Sequence, residues 1–279
     1  MRFLLAAVAL AATPALADDL PPTTRFDARV ATCVPGHKHG KIKAVTRLAD
    51  GRLIQGTFAD GLKVLFTTPD DEGCRTVYPV GEASARVRGK FDAAGNVTKA
   101  FTMNQAQCPA EKDGGCEQLL VLKDSAGAYR AGYLAGACLQ PELTATPLFS
   151  KTHQGVIMSC RSHREERWGH DVALFGYQGD RLIRMLHMDT GYSSSAMGRP
   201  EVAKRPDGGA RCEVGPPGML KVVAPGPKPV IVTREADMAA DDGSIMHARR
   251  TWDGKHFQYD GDPKIMDGEP KVVCHDDVP

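Results

Sequence analysis

Short apolar runs recur along this chain at hairpin spacing, each separated from the next by a turn-forming pair. Residues 42–48, 53–58 and 62–67 are punctuated by Asp50-Gly51 and Asp60-Gly61, pairs that supply the positive φ of tight hairpin turns. Residues 84–91 and 97–103 flank Asp92 to Asn96, and 118–123 and 128–134 flank Asp124 to Gly127. In the second half, 156–161, 171–177 and 182–188 form a further meander with a turn at Gln178-Gly179-Asp180. Runs at 230–234, 245–252 and 256–259 follow, with Asp253-Gly254 between the last two. No long stretch carries the 3.6-residue apolar period and caps of a core helix. The pattern predicts an all-β, antiparallel, hairpin-built fold.

Residues 199–229 hold seven prolines and are expected to form a long loop pinned by Cys212. At the other end, Arg2, an apolar run to Ala12 and the small residues Ala15 and Ala17 have the layout of a signal peptide. The run is shorter than the roughly 20 residues that span a bilayer. Residues 1–17 are therefore expected to be removed, leaving a mature chain that starts at Asp18 in the periplasm or outside the cell, with no membrane insertion.

Removing Arg2 leaves 34 basic against 34 acidic residues, a neutral total. Nucleic acid is accordingly excluded as an expected partner, because that interaction needs clustered Lys and Arg. The chain holds eight cysteines, and in an oxidising compartment an even number implies a disulfide framework. Cys108 and Cys116 bracket a turn-rich loop and are the one pair that spacing names; closing it is worth about 2.6 kcal/mol in the chain-entropy model. Cys33, Cys74, Cys138, Cys160, Cys212 and Cys274 are left in unknown order. A cut near Pro141 would leave five cysteines before it and three after, so full pairing requires a bridge across that point. The expected unit is 18–279, single or built of two tied lobes, 18–140 and 141–279.

Gly51-Arg-Leu-Ile-Gln-Gly56-Thr57-Phe-Ala-Asp-Gly61-Leu62 resembles the blade repeats of the β-propeller sensor domains of bacterial two-component regulators, and Gly127 to Gly136 is similar to a degraded second copy. The resemblance implies a propeller-like scaffold; a stacked sandwich or barrel is the alternative for strands arriving as hairpins.

Asp189-Thr190-Gly191 looks like the D-T-G of aspartic peptidases, whose chemistry needs two carboxylates sharing a proton. There is one such motif, His187 and Tyr192 depart from its usual surroundings, and a strand-ending turn is the simpler reading. Asp189 stands as the candidate catalytic residue of a hydrolase. His37 and His39, two apart, would share one face of a strand and stand as candidate metal ligands; His163, Glu166 and His170 match no metalloprotease spacing. Acid-rich turns at 70–72, 241–242 and 260–262 follow no calcium-loop pattern. Trp168 and Trp252 are expected in the core. No nucleotide, phosphate or nucleophile-elbow motif is present. The expectation is a binding or interaction module for an unknown protein or small molecule, without a cofactor; the alternative is a hydrolytic or His-based metal enzyme.

Overall fold

Where a turn pair was expected and the backbone is described, strands reverse. A computed structural model describes residues 23–34, 40–48, 53–67, 74–80, 83–106, 108, 115–164, 167–194, 211–214, 219–236, 245–266 and 272–275. Gly61 takes φ +88° at one reversal, and its neighbour Asp60 accepts the Leu62 amide at 3.0 Å. Gly179 and Asp180 take φ 53° and 61°, the signature of a two-residue type I′ hairpin. Asp50-Gly51 lies outside the described residues.

A short helix, α1 (Thr23–Cys33), precedes the first sheet of β1 (Ile42–Arg47), β2 (Ile54–Phe58), β3 (Lys63–Phe66) and β4 (Val77–Pro79). The second sheet is β5 (Ala83–Arg88), β6 (Val97–Asn104), β7 (Cys116–Asp124) and β8 (Tyr129–Cys138). The third is β9 (Gln140–Pro147), β10 (Gln154–Arg164), β11 (Arg167–Gln178) and β12 (Arg181–Ser194). After β13 (Arg211–Val214), the fourth contains β14 (Met219–Ala224), β15 (Val230–Ala236), β16 (Ile245–Trp252) and β17 (Phe257–Tyr259), with β18 (Lys264–Met266) also on β16. Finally, β19 (Val272–His275) pairs with β13. Within each large sheet, neighbours in space are neighbours in sequence, apart from β18 on β16, and the pairings are antiparallel.

The sheets stack face on face, which explains the apolar runs that do not alternate. In β7, Leu119 and Val121 face the first sheet among Leu53, Leu65 and Tyr78, while Leu120 and Leu122 face the third among Met158 and Phe175. A strand buried on both faces reads as a continuous apolar run. In β11, Ala173 and Phe175 face the second sheet and Leu174 the fourth, where Ile231 and Trp252 meet it. Each buried Leu, Val, Ile, Met or Phe among these contributes about 1.5–3 kcal/mol. A glycine permits one of these approaches: a Cβ on Gly132 would sit 2.3 Å from Leu53 Cδ1.

Two expectations need correction. α1 is a helix that the long-period criterion passed over: Phe26, Val30 and Cys33 lie on one face and pack on Ile54, Val64 and Phe66, but three turns with no acid in the first turn and no base in the last carry too little pattern to register. The stretch 199–229 is not one long loop, because β13 and β14 lie within it. Their pairing with β19 and β15 outweighs the local signal of the surrounding prolines.

Candidate functional site

The second sheet carries a row of like charges. β5 alternates, so Arg86 and Arg88 share a face. Register then places Arg88 opposite Lys99, Lys99 opposite Lys123, and Lys123 opposite Tyr129. Directly opposed residues stand on the same side of a sheet, and like charges so placed destabilise it. In the next row Arg86 is opposite Phe101. These side chains lie on the face that packs against the first sheet, at the margin of the Tyr78, Met103 and Tyr129 cluster.

The result is a groove of about 410 Å³, walled on one side by Val80 and floored by Phe101, Met103 and Tyr129. Arg86, Arg88, Lys99 and Lys123 line it, and none of its described lining residues is acidic. No carboxylate among the described residues pairs with these four; ion pairs lie elsewhere, as at Arg130–Asp124 and Arg249–Asp260. Lys123 Nζ stands 4.2 Å from the Tyr129 ring centroid and 5.3 Å from that of Phe101. Burial, then the charges of Lys63 and Lys99, hold its ammonium below the ordinary lysine value. Burial also pushes the Tyr129 phenol up, so it stays protonated, and its buried hydroxyl has no hydrogen-bond partner among the described residues. Among the described residues the groove thus offers four cations and two aromatic rings, with no anion to satisfy them.

A second cavity of about 390 Å³ between the second and third sheets is self-satisfied by comparison. There Tyr177 donates to Asp180 at 3.0 Å, and a His153 ring nitrogen meets the Tyr177 carbonyl at 3.1 Å.

Asp189 does not end its strand in a turn: β12 continues to Ser194. The register shifts between His170 and Asp171, passing Thr190 without a partner and setting the Asp189 backbone opposite Asp171. Asp171 lies 3.4 Å from His187 Nε2; the Asp189 side chain lies outside the described residues, as do those of Trp168, His163 and His170. His37 and His39, residues 1–17 with the expected signal segment, Glu166 and the acid-rich turns at 70–72 and 241–242 also lie outside them. Asp260 is engaged in the fold, accepting from Thr251 at 2.8 Å and pairing with Arg249. Among the described residues no group of three His, Cys, Asp or Glu could hold a metal, and no helix is long and apolar enough to cross a membrane. Trp252 is buried against Phe257. Disulfides join Cys33 to Cys74, Cys108 to Cys116 and Cys138 to Cys160.

Sequence reasoning missed the groove because its cations are dispersed over β5, β6 and β7, and a neutral total conceals a local cluster. The signal present was the alternation Ser84-Ala-Arg86-Val-Arg88, which becomes a site only once the register is known.

No family model matches this chain, and no curated protein matches it. Among solved structures, the β-propeller domain of Nup133 from Vanderwaltozyma polyspora is similar over 81% of this chain, at 9% identity and a TM-score of 0.31. The match spans 62% of that chain, and a likeness so loose carries no argument about function.

Proposed function

We propose that this chain is an exported binding module on a propeller-like, disulfide-held stack of hairpin meanders, and that its ligand seat is the groove between the first two sheets. The ligand is a small molecule with several anionic groups and an apolar or aromatic body. One observation carries this reading: Arg88, Lys99 and Lys123 stand in one row across three strands, with no acid among the described residues that line the groove. Such a row costs stability in the free protein, and an anion would relieve that cost.

Thermal melts with trimesate, citrate and inorganic phosphate, each against sodium chloride at equal ionic strength, test it. Trimesate should raise the melting temperature most, because a ligand at a hundredfold its dissociation constant stabilises by about 2.7 kcal/mol. The R88Q/K99Q/K123Q variant should fold and lose that response. An equal response in the variant, or none beyond the salt control, would sink the reading.

A second reading rests on the backbone register of Asp189 with Asp171: a hydrolase in which two carboxylates share a proton. Proteolysis of a denatured substrate between pH 3 and 6, abolished by Asp189→Asn, would support it. Absence of cleavage across that range would end it.

A further inference from the structure

We propose that Lys123 is a nucleophilic amine that captures anionic aldehydes or α-keto acids as an imine. The inference rests on the anion-groove reading and deepens it, by assigning a reaction to one of the four cations lining that groove.

The argument starts from what surrounds the amine. Lys99 and Arg88 share its cross-strand row, Lys63 approaches from the first sheet as a neighbouring charge, and Tyr129 lies opposite on β8. Arg86 lines the same groove. Every charged group facing Lys123 among these is a cation, so each favours loss of its proton. The Phe101 and Tyr129 rings act in the opposite sense, since a ring face attracts an ammonium. Burial and the neighbouring cations prevail, and the ammonium is held below its ordinary value. A lysine desolvated beside other cations is the arrangement that activates an amine for addition to a carbonyl. The other cations have a separate use, to hold a carboxylate or phosphate on the same molecule and so present its carbonyl carbon to Nζ.

The chemistry is balanced without an oxidant or a further reactant. The lone pair of neutral Nζ adds to the carbonyl carbon, forming the C–N bond, and the carbonyl oxygen takes up the proton released by nitrogen. The nitrogen lone pair then closes the C=N bond as that hydroxyl departs, and the hydroxyl takes the second proton of the same nitrogen and so leaves as water. The sum is amine plus carbonyl giving imine plus water.

Pyridoxal 5′-phosphate is a suitable anionic aldehyde probe, with uncharged pyridoxal as its control and borohydride to fix any imine. Peptide mass spectrometry of the whole chain at limiting probe should find the reduced adduct on Lys123 ahead of Lys63, Lys99 and Lys151. Excess trimesate should prevent that adduct, pyridoxal should give less of it, and Lys123→Arg should remove it. Adduct spread over surface lysines, or equal labelling by pyridoxal, would overturn the inference. The trimesate melt separates the two levels of failure. Stabilisation by trimesate without a Lys123 adduct leaves an anion groove with an inert lysine, whereas loss of both removes the groove reading as well.

Discussion

At the scale of single residues, the hairpin signals that made the fold legible are held by identifiable hydrogen bonds. Asp253, ahead of Gly254 at the β16–β17 turn, accepts from the amides of Lys255 and His256 at 2.7 Å each and from the Gln258 side chain at 3.1 Å. The His256 amide, then that of Lys255, then Gln258, hold its carboxyl down to about 2. Because the folded value lies below the unfolded one of about 3.9, the charge contributes stability that is present above pH 4 and is lost as pH falls through about 2. Asp253→Asn should therefore melt below the wild type at neutral pH, and the gap should close on acidification; melts from pH 7 to 2 check this, and a constant gap contradicts it. Glycine makes a second local test. Gly115 takes φ +79°, and a Cβ there would lie 2.3 Å from the Cys138 carbonyl carbon, whereas Gly127 at φ +89° has nothing within 4 Å. Gly115→Ala should cost at least about 2 kcal/mol in urea denaturation and Gly127→Ala only about 1, the difference being the close backbone approach of β8. Gly127 was readable from the sequence as part of a turn; the demand on Gly115 was not, since it comes from a strand more than twenty residues away.

At the scale of elements, local pattern was informative wherever the strand's own periodicity and turns decided the outcome, and silent where partners decided it. The meanders around Asp60-Gly61, Asp124 to Gly127 and Gln178 to Asp180 formed as expected because their turn chemistry is contained in a few adjacent residues. Strands β13 and β14 were concealed by proline because their stability comes from pairing with β19 and β15. The cation row is a property of three strands in register, and no single strand of the three displays it. That origin gives a direct test. Lys99 stands between Arg88 and Lys123, so Lys99→Gln should stabilise the free protein by about 0.2–1 kcal/mol at low salt. The gain should fade as salt is raised, since these charges border solvent. Denaturation at low and at molar salt measures both parts; a destabilised or salt-independent variant would show that the row is not under repulsion.

At the scale of the molecule, three stacked junctions are supplemented by covalent ties, and their placement bears on how independent the halves are. Cys138 on β8 is bonded to Cys160 on β10, so a bridge crosses the Pro141 position and ties the second sheet to the third. Cys33–Cys74 fastens α1 to the segment ahead of β4. The composition had asked for four bridges, and the two cysteines outside the three described bonds are not scattered: Cys212 of β13 stands directly opposite Cys274 of β19 in the antiparallel register. Opposed residues in such a pair have Cα atoms about 4.5–5.5 Å apart, within the span that a disulfide accepts. A Cys212–Cys274 bond would close a loop of about sixty residues around the fourth sheet, worth about 4 kcal/mol in the chain-entropy model. A non-reduced peptide map should therefore recover one linked peptide holding both residues, and the Cys212→Ser/Cys274→Ser pair should melt several degrees lower with the other three bridges intact. Alkylation of both thiols in the unreduced native protein would show instead that β13 and β19 are held by backbone pairing alone, and that the fourth sheet is joined to the rest by packing without a covalent clasp.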